Sequence, residues 1–222
     1  MKTGITGGIG SGKSYVAHLL ARRGIEVYDC DLAAKHLIRT SLEIRRQLTA
    51  LIGPEAFSGS QLNKAAVARF LLASEENAHA VDAIVHPAVF RDFEESGMEW
   101  MESAILFESG IYRLVDRVIV VTAPEEVRIR RVMARDHITA EKARHWMARQ
   151  LPQEQVRLRA DYEVVNDGRP LAPQLDALLA ALFPHEQQQG ASRGIAPCAE
   201  PLLRPCAGRT LSRCHRGVRH VL

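Results

Sequence analysis

Gly7-Gly8-Ile9-Gly10-Ser11-Gly12-Lys13-Ser14 decides how the chain is read. Its spacing is G-x-x-x-x-G-K-[ST], the pattern of a phosphate-binding loop. Upstream, Thr3-Gly4-Ile5-Thr6 is short and partly β-branched, as a buried strand would be. Downstream, Val16, Leu19 and Leu20 recur at helical spacing, so a helix beginning near Lys13 is expected. Glycines let the main chain turn with positive φ and approach a phosphate closely. The turned N–H groups make an anion cradle, and the helix directs its positive dipole end into it. Lys13 is expected to reach the β and γ phosphates of a nucleoside triphosphate, and the Ser14 hydroxyl to ligate Mg2+. The bland alternative is a glycine-rich turn with no ligand. At average residue usage, a chance match to the whole pattern has odds below about one in a hundred in a chain of this size.

The 222 residues suffice for one large domain, or for a core with insertions, and can bury a core without a disulfide or metal staple. No run of eighteen apolar residues exists, so no membrane span is expected. Glycines begin at Gly4 and leave no apolar signal core, which points to a cytoplasmic protein. The net charge is +3, but it is uneven: from His185 to Leu222 six arginines face two glutamates, so that segment carries +4 and the rest −1. The basic balance therefore says little about the folded part, and no nucleic-acid partner is expected. Cys30, Cys198, Cys206 and Cys214 form no C-x-x-C pair, so a zinc site is not supported. Cys30, between Asp29 and Asp31, reads as a small space-filler.

Further strands are expected at Ile25–Tyr28, Ala104–Phe107, Arg117–Thr122 and Tyr162–Val165. Separated by helical stretches, they imply a parallel α/β sheet, in which ligands bind beyond the carboxyl ends of the strands. Asp29 and Asp31 follow the second strand and Glu108 follows the third, so all three are expected on the ligand side. Asp31 has helix capping as its structural alternative. Asn63 and Ser74 read as helix caps in a helical insertion, and His86-Pro87 is expected to end a helix. Pro124 opens a helix carrying Arg128, Arg131 and Arg135 on one face. Thr139 caps the next helix, and together the pair reads as an arginine-rich lid or as a solvated charged face. Leu171–Phe183 is a closing amphipathic helix. Gln187–Ser192 reads as a linker into a disordered tail.

With these residues assembled, the chain resembles the dephospho-CoA kinases over about residues 1–183. The resemblance rests on the loop from Gly4 to Ser14, Asp29-Cys30-Asp31, His86-Pro87, Ile105–Glu108, Arg135-Asp136, Gln150, and Ala160-Asp161-Tyr162 leading to Asn166-Asp167-Gly168. It implies ATP-dependent phosphorylation of the ribose 3′-hydroxyl of dephospho-CoA, with ATP and Mg2+. By the same resemblance Asp31 accepts the hydroxyl proton, and Lys13 and Arg135 offset charge on the transferring group. Gly8, Ile9, Gly10, Ser11, Gly12, Lys13, Ser14 and Tyr15 would contact nucleotide. Asn166 and Gly168 would lie near the adenine, and His86 and Glu108 would face the acceptor.

The implied architecture is a five-stranded parallel sheet flanked by helices, with the nucleotide core at 1–34, 101–125 and 161–184. A helical acceptor domain would occupy 35–100, a lid 126–160 and a disordered tail 185–222. One departure concerns the stretch after Pro87, where Ala88–Glu95 reads as only about two helical turns, ~12 Å, against a longer helix usual in the family, which implies a reduced acceptor pocket. A different small-molecule or nucleoside monophosphate kinase would share this outline. A regulatory GTP switch would not, because neither Asp-x-x-Gly after the third strand nor Asn-Lys-x-Asp is present. Oligomeric state is not legible.

Overall fold

The computed structural model describes residues 1–59 and 61–184. The expected disordered tail with Cys198, Cys206 and Cys214, and Ser60 in the expected turn, lie outside the described residues.

Five parallel strands form the main sheet: β1 (Thr3–Thr6), β2 (Val27–Asp29), β5 (Trp100–Glu102), β6 (Arg117–Thr122) and β7 (Tyr162–Val165), in the order β2-β5-β1-β6-β7. β1 is central and pairs in register with both neighbours, Gly4 opposite Met101 on one side and Val118 on the other. Because the strands are parallel, their carboxyl ends gather on one edge, and every connection leaving that edge is placed to contribute to one site. Side chains alternate across β6. Val118 and Val120 join a core with Tyr28, Phe93 and Met101, while Ile119 and Val121 join the opposite core with Ile5, Leu20 and Leu175. Both faces are covered, which is why these strands read as continuous apolar runs.

Helix α1 (Lys13–Ala21) follows the loop, and Gly24 (φ 82°) turns the chain after it. Between β2 and β5 lie α2 (Cys30–Thr40), α3 (Leu42–Ile52), a small antiparallel pair β3 (Phe57–Ser58) and β4 (Gln61–Leu62), α4 (Lys64–Ala73) and α5 (Glu75–Ser96). α6 (Glu125–Asp136), α7 (Ala140–Ala148) and α8 (Gln153–Arg159) separate β6 from β7, and α9 (Ala172–Leu182) closes the described chain. Asn63, Ser74 and Thr139 each cap a helix by accepting from the N–H three residues on, as their positions lead one to expect.

Two expectations fail. The third strand is Trp100–Glu102, not Ala104–Phe107. The latter run is a buried turn: Ser109 N–H donates to Ile105 O and Tyr112 N–H to Leu106 O, with Leu106 at 0% exposure. An apolar run signals burial, not strand geometry. Nor does His86-Pro87 end a helix. α5 runs 22 residues through Pro87, about 33 Å, and stops at Gly97 (φ 70°). Proline disfavours a helical predecessor, but α5 packs against α2, α3 and α4 and buries Val85, Ala88, Val89 and Phe93, and that packing holds it helical. After Pro87 the helix continues over residues 88–96, a little over two turns.

Phe93 is fully buried against Tyr28, ring centroids 5.3 Å apart at 63°, while the Tyr28 hydroxyl donates to Asp92 Oδ2 at 2.5 Å. This contact seats α5 on the sheet edge. Phe93→Leu is expected to lower stability by about 1–2 kcal/mol through lost ring packing. Urea unfolding checks it; a change under ~0.3 kcal/mol would show that Phe93 does not anchor α5.

Candidate active site

The loop between β1 and α1 is held from outside by side chains of distant elements. Arg128 Nε donates to Ile9 O at 3.0 Å, and Arg131 Nη1 to Ser11 O at 3.2 Å. Asn166 Nδ2 donates to Ser11 O at 2.9 Å, while its Oδ1 accepts from Arg131. Ile9 N–H donates to Gln150 Oε1 at 2.7 Å. Gly12 adopts φ 91°, and a Cβ there would lie 2.2 Å from Asn166 Nδ2, so only glycine fits. No side chain caps α1, which leaves its first-turn N–H groups to an anion.

One acidic residue that sequence reasoning missed stands at the centre. Glu102, at the carboxyl end of β5, accepts from Ser14 Oγ at 2.6 Å and lies 3.7 Å from Lys13 Nζ. It is 5% exposed. Burial raises its carboxyl pKa above the ordinary range, with the Asp29 and Asp31 charges adding to the rise and Ser14 and Lys13 opposing it. Met98-Glu99-Trp100-Met101-Glu102 offered no period to single it out. Its value comes from β5 being the neighbour of β1.

The two aspartates divide their roles. Asp29 caps α2, its Oδ1 accepting from Leu32 N–H at 2.8 Å. Asp31 is therefore not the cap, and its carboxylate enters no hydrogen bond or ion pair among the described residues. It lines a cavity of about 210 Å3 together with Cys30, Val85, His86, Phe90 and Ser103. Ser103 follows Glu102, the partner of Ser14, so the cavity adjoins the loop. His86 sits on α5 with Nε2 3.5 Å from Asp82 Oδ1 and its ring stacked on Phe90. Cys30 is buried and its thiol is pushed up to about 12, chiefly by desolvation, consistent with a filler.

Other expected residues are placed differently. Glu108 accepts from Leu151 N–H at 3.1 Å and is not among the residues lining the cavity. Arg135 is bound through Nε and Nη2 to its own neighbour Asp136, at 3.0 and 2.7 Å. The arginines of α6 on the loop are Arg128 and Arg131. Asn166 spends both ends of its amide on Ser11 and Arg131. Gly168 (φ 112°) has nothing within 4 Å of a built Cβ, and Tyr15 is 55% exposed. Ser11 Oγ is buried without a partner among the described residues.

A Lys-Ser loop on the middle strand of such a sheet, with a buried carboxylate on the adjacent strand gripping both residues, is the architecture of the P-loop kinases, and the chain is of that class. Comparison with known proteins narrows the class. A family model described as Dephospho-CoA kinase matches residues 1–171. The chain is 41% identical over 191 residues to a dephospho-CoA kinase of Bacteroides fragilis strain YCH46, covering 82% of this chain and 93% of the relative. A second, from Porphyromonas gingivalis, is 42% identical over 170 residues, covering 73% and 84%. A solved Thermus thermophilus structure superposes with a TM-score of 0.72 at 36% identity, covering 82% of this chain and 97% of that one. A Campylobacter jejuni dephospho-CoA kinase at 18% identity shares the fold, with a TM-score of 0.57, covering 85% of this chain and 100% of that one. The chain belongs to the dephospho-CoA kinase family.

Proposed function

We propose that this chain transfers the γ-phosphoryl group of ATP to the ribose 3′-hydroxyl of dephospho-CoA, giving CoA and ADP, and that it acts in the cytoplasm. Family membership supports the substrates. No helix among the described residues is long and apolar enough to cross a membrane. The observation that carries the chemistry is the unengaged Asp31 carboxylate, in a cavity shared with His86 and with Ser103, the residue that follows Glu102. In the proposed step the acceptor oxygen forms a bond to the γ phosphorus as the bond to the β-γ bridging oxygen breaks. The hydroxyl proton goes to Asp31, and the bridging oxygen departs with ADP.

The nucleotide is held by the loop from Gly8 to Ser14 with Tyr15, and its base lies towards Asn166 and Gly168. Lys13 offsets charge on the transferring group, and Arg135 joins it by exchanging Asp136 for phosphate. His86 and Glu108 belong to the acceptor side. This reading divides the chain into the core, an acceptor-binding insertion at 35–100 and a lid at 126–160.

Mg2+ fits the donor set: a serine hydroxyl and a buried carboxylate 2.6 Å apart are hard oxygen ligands beside a phosphate cradle. Ser14 and Glu102 would hold it. When bound it neutralises phosphate charge.

The test is a stoichiometric assay of the purified chain with ATP and dephospho-CoA. CoA and ADP are expected to form one for one. No CoA at saturating substrates, or faster transfer to a nucleoside monophosphate, would overturn the reading in favour of a different small-molecule kinase.

A further inference from the structure

Arg128, in the first turn of α6, is 7% exposed and rests against the loop. Its Nε donates to Ile9 O, and its Nη2 lies so close to Gly8 that a Cβ there would be 2.4 Å away. A Cβ on Gly10 would lie 2.6 Å from the Arg128 carbonyl oxygen. A side chain at Gly10 would meet the Arg128 main chain, and one at Gly8 would displace the guanidinium.

The guanidinium has no carboxylate within ion-pair distance among the described residues. Glu125, one turn earlier, is the acidic group whose charge still reaches it. Several other arginines are paired with acids: Arg23 with Asp176, Arg135 with Asp136, Arg157 with Glu154 and Glu163, Arg169 with Asp167. Arg131, three residues on, takes carbonyl oxygens and the Asn166 amide instead. The nearby loop carboxylate, Glu102, is already held by Ser14 and Lys13.

A buried, uncompensated cation costs a fold several kcal/mol in general and is kept where something repays it. Here a neutral carbonyl satisfies one of the five N–H donors and supplies no countercharge. We propose that the bound triphosphate is the countercharge of Arg128, making it a positioning residue that draws the Gly8–Ile9 segment onto the nucleotide at the expense of stability in the empty protein. The inference rests on triphosphate binding at the loop and goes beyond it by assigning a residue and a sign of effect.

The sign separates this role from simple packing. A brace that only fills space destabilises the empty protein when it is shortened or neutralised. A charge awaiting its partner does the opposite. The experiment compares wild type, Arg128→Met and Arg128→Lys by thermal unfolding with and without ATP and by steady-state kinetics. Arg128→Met is expected to melt at or above the wild-type temperature without ligand. Its ATP-induced shift should shrink, and its ATP KM should rise about tenfold, the usual scale for one hydrogen-bonded charge. The KM for dephospho-CoA should stay unchanged. Arg128→Lys should recover most of the ATP KM.

A methionine variant that melts lower or fails to fold would overturn the proposal. So would one that keeps the full ATP shift, or a lysine variant no better than methionine. An absent ATP shift in the wild-type protein would instead sink the parent reading of the loop.

Discussion

Lys13→Ala is expected to reduce kcat by about 10³-fold, equivalent to ~4 kcal/mol of barrier. Lys13 opens α1 and its side chain is 14% exposed, 3.7 Å from Glu102 Oε1. The change removes the ammonium that offsets negative charge on the transferring group. It also leaves Glu102 with Ser14 as its remaining polar contact, so the local field turns more negative where a tetra-anionic ligand must sit. The loss should appear mainly in kcat, because main-chain amides still bind the ground-state phosphates. Steady-state turnover at saturating substrates checks it; a kcat within threefold of wild type would remove Lys13 from the chemistry.

Asp31→Asn is the second large effect, with an expected fall in turnover of about 10²–10⁴-fold, the range for loss of a positioned proton acceptor. The side chain keeps its shape and loses its basicity. Because Asp29 caps α2 and Asp31 carries no bond of the fold, the melting temperature and the calorimetric ATP affinity should both stay at wild-type values. Lost ATP affinity combined with normal turnover would mean that Asp31 serves the nucleotide, not the acceptor. Asp29→Asn is the contrasting case, since it weakens a helix cap and should report chiefly in stability.

The parts of this fold legible from sequence are those whose cause is local. The loop is eight contiguous residues, and its glycines announce the backbone turn themselves. Asn63, Ser74 and Thr139 reveal their helix starts because a cap bonds only three residues away. Arg117–Thr122 is recognisable because burial on both faces leaves no polar position in its interior. Where a local rule met tertiary packing, it lost. Pro87 should break a helix by sterics with its predecessor, yet α5 continues across it. Ala104–Phe107 has the composition of a strand but forms a buried turn.

Sequence by itself determined a glycine loop between a first strand and a helix, the alternation of strands and helices, and Asp29 at the end of β2. The tertiary structure alone decided which distant side chains meet the loop. Glu102 is 88 residues from Ser14, Arg128 is 119 from Ile9, Gln150 is 141 from Ile9 and Asn166 is 155 from Ser11. None of these pairs has a spacing that advertises it. They meet because parallel pairing in the order β2-β5-β1-β6-β7 brings five carboxyl ends to one edge. Hydrogen bonds and charges act over a few ångströms of space, whatever the length of chain between the partners.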